Sequence, residues 1–478
     1  MAITSGNAPD AAPRKIALSS NYVDFTSAAG SWAQQYLPDL MEKEAEIYGN
    51  RTISGFLSQI GAEEASSSDR VLWSEQGRLH LSYQATYVST GIINLTKDVD
   101  GAAIANNEAG VRVGDTILLS NAAGTLKCYV SSVDTGTANN RITLQPYGQA
   151  NIDSLGTATT ADIYRVLVYG SEFSKGQDGR SLANTPKFVS HQNKHIILKD
   201  FYEVSGSDAS AIGWVEVSGE EGQNGYLWYL KASGDTKSRF TDYLEMALLE
   251  SELAHADSVI ALSSGADLGV NNAGTEGLFK AITTRGHQTT GVTGVNAATD
   301  LAEFDAMLAT FDSNGAIEEN MMFVDRATSL AMDDMLASMN SYGAGGTSYG
   351  VFDNDEDMAL NLGFSGFRRG SYDFYKSDFK YLNDKGMRGG LNDTTAPIRG
   401  VVVPAGVSSV YDQQLGKNMK RPFLHVRYRT SEADDRKLKT WITGSVGAQT
   451  SGKDTMEVHY LSERCLVVQG ANNFMLMN

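Results

Sequence analysis

One uninterrupted stretch, residues 236–262, constrains the fold of this chain most strongly. It contains neither Gly nor Pro and is rich in strong helix formers, so we predict one long helix. Asp235 is placed to cap its N-terminus, and Gly265 follows its end. Its apolar side chains form two stripes on opposite sides: Phe240, Tyr243, Leu244, Ala247, Ala254 and Ala261, and then Leu249, Leu253, Ala256 and Ile260. We therefore expect a helix that supports a sheet; an ordinary core helix of an α+β domain is the alternative.

Composition limits the possible functions. The 478 residues are too many for one small core, so two to four lobes are expected. The net charge of −18 comes from 57 acidic and 39 basic residues and argues against a nucleic-acid groove, which needs a basic face. Cys128 and Cys465 form neither a metal motif nor a disulfide framework, which predicts a reducing cytoplasm. We also predict no membrane-spanning helix and no signal peptide, because long apolar runs are absent.

The N-terminal part of the chain is predicted to contain a β-module within a hairpin. Residues 1–70 are expected to form a polar arm followed by a short helix at 31–48. Residues 71–85 alternate apolar and polar side chains, which indicates a strand. In the segment 86–162, short apolar runs alternate with Gly and Asn turns, as is typical of a small β-barrel or sandwich. Because strand-like residues 163–169 follow, we predict that this module is inserted into a longer hairpin.

Residues 170–190 are polar, rich in turn residues and mixed in charge, so we predict a long exposed loop. A strand is expected at 195–206, before the long helix. Further helices are predicted to begin at Asp300, with a capping-box spacing to Glu303, and to cover 325–339. Strands are predicted at 321–324, 400–404, 424–429, 456–461, 465–469 and 473–477. In the strand 424–429, Leu424, Val426 and Tyr428 are expected to point inward and His425, Arg427 and Arg429 outward.

This order of segments resembles the major capsid protein of tailed bacteriophages, a fold shared with herpesviruses and encapsulins. Three stretches carry the resemblance. Residues 169–206 are similar to the extended loop of such proteins and the strand that leaves it, and the predicted helix 236–262 resembles their spine helix. The ending at 456–478 is similar to the strand pair that returns to their peripheral domain. The resemblance covers about 31–85 and 163–478.

The resemblance implies an α+β capsid fold with an N-terminal arm, an extended β-hairpin loop, a long spine helix, peripheral and axial domains and an inserted small β-domain. The implied boundaries are 1–70 for the arm and short helix, 71–206 for the extended loop with the inserted module 86–162, 207–264 for the peripheral domain with the spine helix, 265–420 for the mainly axial domain with returning peripheral segments, and 421–478 for the closing peripheral strands.

The implied function is structural. Such subunits form hexamers and pentamers that tile an icosahedral head around packaged double-stranded DNA, without sequence-specific DNA binding. The expected partners are copies of the same chain, a separate scaffolding protein, a portal and a decoration protein, with no membrane. The expected location is the virion capsid, assembled in the host cytoplasm. No catalytic residue, metal or cofactor is predicted.

The predicted extended loop supplies the candidate contacts between subunits. It combines both signs of charge with a few apolar side chains that could anchor on a neighbour. The candidates are Glu172, Phe173, Lys175, Asp178, Arg180, Leu182, Lys187 and Phe188. Some capsid proteins of this kind cross-link a loop Lys to a neighbouring Asn, but no matching Asn or catalytic acid is evident here. A solvated or ion-paired Lys175 is therefore the favoured interpretation.

Two other classes of protein are considered beside a capsid subunit. Residues 346–350 match G-x-S-x-G, so Ser348 with His425 or His459 could form a hydrolase site; a mobile Gly loop is favoured, because no strand precedes the motif. The second class is an encapsulin-like shell that holds enzymes. The acidic run at 353–357 has the opening spacing of a calcium loop but lacks its Gly and its bidentate Glu, so a solvated run is the better interpretation.

Overall fold

The computed structural model of the chain describes most residues beyond the N-terminal arm. The described residues are 57, 62–77, 80, 82–99, 101–105, 108–134, 140–155, 163–179, 188–207, 216–218, 224–254, 273–315, 317–341, 365–392, 397–405, 407–412, 417–445 and 451–478. They divide into two compact units, one made of residues 1–72 with 192–478 and the other of residues 73–191. The predicted helix 31–48 lies outside the described residues.

The secondary structure is mixed α+β and mostly strands. The strands are β1 (Ala62–Ser66), β2 (Arg70–Gln76), β3 (Ser82–Ser89), β4 (Ile92–Lys97), β5 (Asp115–Asn121), β6 (Gly124–Asp134), β7 (Asn140–Pro146), β8 (Ile163–Ser171), β9 (Phe188–Lys194), β10 (Ile196–Ser205), β11 (Glu216–Ser218), β12 (Asn224–Tyr226), β13 (His287–Thr289), β14 (Glu319–Val324), β15 (Ser365–Arg369), β16 (Tyr372–Asp378), β17 (Gly400–Pro404), β18 (Val407–Asp412), β19 (Lys417–Pro422), β20 (Leu424–Arg429), β21 (Lys439–Gly444), β22 (Thr455–Val468) and β23 (Met475–Met477). The α-helices are α1 (Leu227–Glu250), α2 (Leu278–Arg285), α3 (Ala297–Asn314), α4 (Arg326–Ser341) and α5 (Lys380–Asn383), with short 3-10 turns at Ile152–Leu155, Arg388–Gly390 and Ala471–Asn473.

The unit formed by residues 73–191 is built around a closed antiparallel barrel. Its strands follow the order β3-β4-β7-β6-β5-β8, and β8 pairs back onto β3 with Thr86 opposite Ile163. Alternate side chains along each strand point inward and form a core of their own. This core contains Tyr83, Ala85, Ile93, Leu95, Val111, Ile117, Leu119, Cys128, Val130, Ile142, Leu144, Ile152, Leu155, Tyr164 and Val166.

The barrel includes more of the chain than the predicted module 86–162. Strands β3 and β8, which the sequence pattern placed in the long hairpin, are walls of the barrel itself. Tyr83 and Tyr164 show the reason: both side chains are buried in the barrel interior, with exposed fractions of 3% and 0%. The hairpin that leads to the barrel is β2 with β9, in which Ser74 and Ser190 hydroxyls lie 3.4 Å apart.

An open five-stranded sheet forms the first half of the larger unit. The strand order is β1-β20-β22-β10, with β21 also paired to β22. β1 runs parallel to β20, whereas the other pairs are antiparallel. Helix α1 covers one face, where Phe240 and Leu244 pack on Val458 and Tyr460, and the Phe240 and Tyr460 ring centroids are 6.0 Å apart.

The long helix begins and ends earlier than predicted. It spans Leu227–Glu250 rather than 236–262, so the expected N-cap Asp235 lies inside it. After Glu250 the chain leaves the helix, because its backbone pairs instead with residues 273–277: the Gly277 N–H donates to the Ser251 carbonyl at 2.8 Å. The predicted stripes are also corrected in part, since Tyr243 is 46% exposed. Residues 255–262 and Gly265 lie outside the described part of the chain.

A second, six-stranded sheet completes the larger unit. Its order is β13-β23-β17-β14-β16-β15, so the C-terminal strand β23 lies between β13 and β17. Helices α3 and α4 pack on it through a core that includes Phe304, Phe311, Met332 and Met335. A further core joins α1, α2 and both sheets; it includes Leu249, Ile282, Phe323, Val401, Leu424, Leu466 and Leu476.

Several element boundaries in this unit differ from the predictions. The two strands predicted at 456–461 and 465–469 are one continuous strand, β22. Helix α3 is capped by Asn296, whose side chain accepts from the Thr299 N–H, while Asp300 is buried and accepts from the Gly294 N–H. His425, expected to face outward, is only 1% exposed. Among the described residues, none of the helices is both long and apolar enough to cross a membrane.

Candidate intersubunit contact segment

The structure describes five of the eight predicted contact residues. Glu172, Phe173, Lys175 and Asp178 lie in the turn that follows β8, and Phe188 begins β9. The other three, Arg180, Leu182 and Lys187, fall outside the described residues. All five described side chains are exposed, with 40% of Phe173 and 58% of Phe188 accessible.

Glu172 and Phe173 rest on the wall of the barrel. The Glu172 N–H donates to the Gly114 carbonyl at 3.0 Å, and the Glu172 carboxylate accepts a hydrogen bond from the Tyr147 hydroxyl. That hydrogen bond raises the pKa of Tyr147 to about 12, because losing the hydroxyl proton would break it beside a negative charge. The two barrel residues Gly114 and Tyr147 therefore set the position of the start of the segment.

Gly114 is a position where only glycine fits well. Its φ of +90° belongs to the left-handed region, and a Cβ added there would lie 3.3 Å from the Phe173 ring. The Phe173 ring thus packs on a backbone that carries no side chain. The sequence pattern predicted Gly turns in the segment 86–162 but contained no signal for the contact between Gly114 and Phe173.

Lys175 lies on a tight, polar turn, and Asp178 follows directly after it. Ser174 and Gln177 close it from both sides: the Ser174 N–H and hydroxyl donate to the Gln177 side-chain oxygen at 3.2 and 2.8 Å, and the Gln177 N–H donates to the Ser174 carbonyl at 3.2 Å. Gly176 has a φ of +78° within the turn. The turn is held by its own hydrogen bonds, which give the backbone that carries the exposed Lys175 side chain a defined position.

The strand pair β2 and β9 forms the base of the segment. The Trp73 and His191 rings face each other across the pair at a centroid distance of 6.0 Å, and the Trp73 indole N–H donates to Glu75 at 3.0 Å. Phe188 and its neighbour Val189 are exposed at the start of β9. Phe188 is therefore held on a strand, whereas Phe173 is held on the barrel.

The two histidines suggested for a hydrolase have different surroundings. Ser348 lies outside the described residues. His425 is buried with its ring nitrogen 3.2 Å from the Pro422 carbonyl oxygen, while His459 lies on the open sheet within 2.7 Å of the Thr443 hydroxyl. Within the described ranges, no group of three or more His, Cys, Asp or Glu side chains could hold a metal ion.

Comparison with solved structures finds similarity to structures of phages. A structure from Mycobacterium phage Ogopogo is 8% identical over 94% of this chain and 99% of that chain, with a TM-score of 0.41. A structure from Microbacterium phage Oxtober96 is 9% identical over 94% of this chain and 97% of that chain, with a TM-score of 0.39. The asymmetric unit of the bacteriophage PhiM1 mature capsid is 9% identical over 65% of this chain and 78% of that chain, with a TM-score of 0.33.

No family model matches the chain, and no curated protein matches it.

Proposed function

We propose that this protein is a structural subunit of an icosahedral phage head. The observation that carries the proposal is the way the open sheet is assembled. Strands from the beginning, middle and end of the chain (β1, β10, β20 and β22) meet in one sheet under the long helix α1. The paired strands β2 and β9 lie between β1 and β10 in the sequence. This arrangement is the one expected for the capsid fold described above.

The finer features of the function are part of the same proposal. Copies of the chain form hexamers and pentamers, residues 207–264 and 421–478 contribute the peripheral domain, and residues 265–420 contribute most of the axial domain. The shell encloses double-stranded DNA, and a net charge of −18 suits an inner wall along which DNA must move, since like charges repel. A separate scaffolding protein, a portal and a decoration protein are the proposed partners. The shell assembles in the host cytoplasm and remains in the virion.

The first test is whether the full-length protein assembles. Light scattering and electron microscopy of the purified chain, alone and with a co-expressed scaffolding protein, are expected to show capsomers, tubes or shells. A protein that stays strictly monomeric at high concentration in both preparations would contradict the proposal.

We also propose that the segment 170–190 is the clamp between neighbouring subunits. It carries Lys175 on an exposed turn and contains Arg180 in the same polar run. Exposed charge pairs contribute less than about 1 kcal/mol each, but a shell repeats the contact at every subunit. Reversing both charges (Lys175→Glu with Arg180→Glu) is expected to leave the Tm of the isolated subunit unchanged and to reduce the yield of shells.

A matched control is available on the barrel. Lys127→Glu with Arg141→Glu makes the same change in net charge at two exposed strand positions. If both double variants reduce the yield of shells equally, the effect is one of net charge and the clamp assignment is wrong. Shells of the first variant that form and resist denaturant like the unmodified protein would also contradict it.

A further inference from the structure

The open sheet presents a row of three rings on the face opposite α1. Phe201 of β10, His459 of β22 and Trp441 of β21 lie side by side, with His459 in the middle. The His459 ring centroid is 6.0 Å from that of Phe201 and 5.1 Å from that of Trp441, with interplanar angles of 28° and 16°. Phe201 remains 53% exposed. We call these three residues the aromatic row.

Charged side chains flank the aromatic row in a fixed order. Two residues away along the strands on one side, the register brings Lys199, Leu461 and Lys439 together, and we call them the basic row. Lys199 is exposed, and the Lys439 ammonium group is 2.7 Å from Asp434.

Two residues away on the other side lie Glu203 and Glu457, which we call the acidic row. The Lys453 ammonium group is 2.6 Å from Glu203 and 3.1 Å from Glu457, so the two carboxylates share one cation. Neighbouring rows are about 7 Å apart, because each residue of a strand advances about 3.4 Å. Across this face the side chains therefore read basic, aromatic, acidic.

The turn after β8 has the complementary order. Glu172 is acidic, Phe173 is aromatic and Lys175 is basic, and all three side chains are exposed. Glu172 can keep its hydrogen bond from Tyr147 while it approaches a lysine, because a carboxylate accepts several hydrogen bonds.

We propose that residues 172–175 of one copy dock on this face of a second copy. Phe173 packs against the aromatic row, Glu172 faces the basic row, and Lys175 joins Lys453 at the acidic row. Aromatic side chains dominate the binding energy of interfaces, and charges around them set register and exclude wrong partners. The inference rests on the proposed function, because it names the surface that receives the clamp.

Disulfide trapping tests this contact directly. One chain carries Phe173→Cys and another carries Phe201→Cys, so that only a contact between copies can join the two engineered thiols. The natural thiols Cys128 and Cys465 are both 0% exposed, and burial raises their pKa to about 11 and about 12, which leaves them unreactive. Mixed chains are allowed to assemble and are then oxidised.

A disulfide-linked dimer is the expected product on a non-reducing gel. The control pairs Phe173→Cys with Tyr243→Cys, which is 46% exposed on α1 and so lies on the other side of the sheet. Shells that assemble without the 173–201 dimer, or that give as much 173–243 dimer, overturn this inference while the proposed function stands. Failure of the unmodified chain to assemble would overturn both.

If Phe173→Cys or Phe201→Cys prevents assembly, an exchange of charges tests the proposed contact instead. Lys199→Glu places two like charges opposite each other and is expected to lower the yield of shells several-fold, with the Tm of the isolated subunit unchanged. Adding Glu172→Lys to the same chain restores the opposite charges and is expected to restore the yield. A double variant that assembles no better than Lys199→Glu alone would overturn the inference.

Discussion

The barrel and the open sheet are two β-structures built on different principles. The barrel takes its six strands from one continuous stretch, β3 to β8, and closes so that every strand has two neighbours. The open sheet collects β1, β10, β20, β21 and β22 from segments separated by up to about 400 residues, and among the described strands β1, β10 and β21 lie at its edges. Closure of the barrel pairs the backbone groups of each strand with both neighbouring strands. The open sheet, in contrast, keeps edges and one face available for contact.

The interiors of the two structures differ as well. The barrel core is mostly apolar, as expected for strands that alternate inward and outward, and its buried Asp115 accepts from the backbone N–H of Arg112 at 2.8 Å. The open sheet holds charged groups: Glu463 is 5% exposed and accepts from the Arg436 Nε at 2.5 Å, and Arg464 is 3.2 Å from Glu63. Burial lowers the pKa of Arg464, because desolvation disfavours its charge. Such pairs are directional, so we infer that they help to fix the register of strands that meet from distant parts of the chain.

Each structure contains one buried cysteine that can report on it. Cys128 belongs to the barrel core and Cys465 to the open sheet. Burial raises the pKa of each thiol, so neither should react with an alkylating reagent until its surroundings open. Pulsed alkylation followed by mass spectrometry can therefore follow the barrel and the sheet separately.

Two deletions that remove the barrel at different boundaries should differ most strongly in the solubility of the remaining protein. Replacing residues 77–187 by a short Gly/Ser linker removes the whole barrel between the paired strands β2 and β9, and should leave Cys465 protected. Replacing only 86–162 leaves Tyr83 and Tyr164 facing water, and each exposed large side chain costs about 1.5–3 kcal/mol.

We therefore expect the shorter replacement to give an aggregating protein and the longer one a soluble protein. Equal solubility and equal protection of Cys465 in both proteins would show that β3 and β8 belong to the hairpin, as the sequence pattern indicated.

The second effect is the loss of a core side chain in one structure or the other. Ile93 is 0% exposed in the barrel, and Ile93→Ala should reduce the free energy of unfolding there by about 2–5 kcal/mol. The denaturant midpoint for labelling Cys128 should fall, while that for Cys465 should stay unchanged.

Leu244→Ala is the matched control, because Leu244 is 3% exposed where α1 packs on the sheet. It should lower the midpoint for Cys465 and leave that for Cys128 in place. A parallel shift of both midpoints in either variant would mean that the two cores unfold as one cooperative structure.

The smallest effect is the response to pH, which should have opposite signs in the two structures. In the open sheet, the hydrogen bond from Lys453 lowers the pKa of Glu457 below its usual value of 4.5. Its contribution to stability is present above pH 4.5 and is lost as the pH falls through the lowered pKa. In the barrel, the raised pKa of Tyr147 means that its contribution is present below pH 10 and is lost as the pH rises towards 12.

Two variants check these signs. Lys453→Met should remove the contribution of Glu457 to the loss of stability at acid pH. This loss is measured as the change in the denaturant midpoint of the open sheet between pH 6 and pH 3. Glu172→Gln should move the absorbance titration of Tyr147 from about 12 towards the usual value of 10. An unchanged titration would contradict the Tyr147–Glu172 hydrogen bond.

The long helix and the two histidines show which features of the candidate site a sequence can predict. The apolar stripes correctly indicated that Phe240, Leu244 and Leu249 are buried, because helical periodicity is a local property. The end of the helix at Glu250 was missed, because it depends on backbone bonds to residues 273–277. His425 and His459 have similar strand contexts, yet one is buried and the other lies on an exposed face.

Local sequence patterns were enough to predict a β-rich module, the exposed turn that carries Lys175 and strands such as 400–404 and 424–429, since turns and alternation act over a few residues. The folded chain was needed to show that β3 and β8 close the barrel, that Phe173 rests on Gly114, and that Phe201, His459 and Trp441 form one row. These contacts join residues that are far apart along the chain. Their partners are chosen by packing, register and burial, which no local pattern contains.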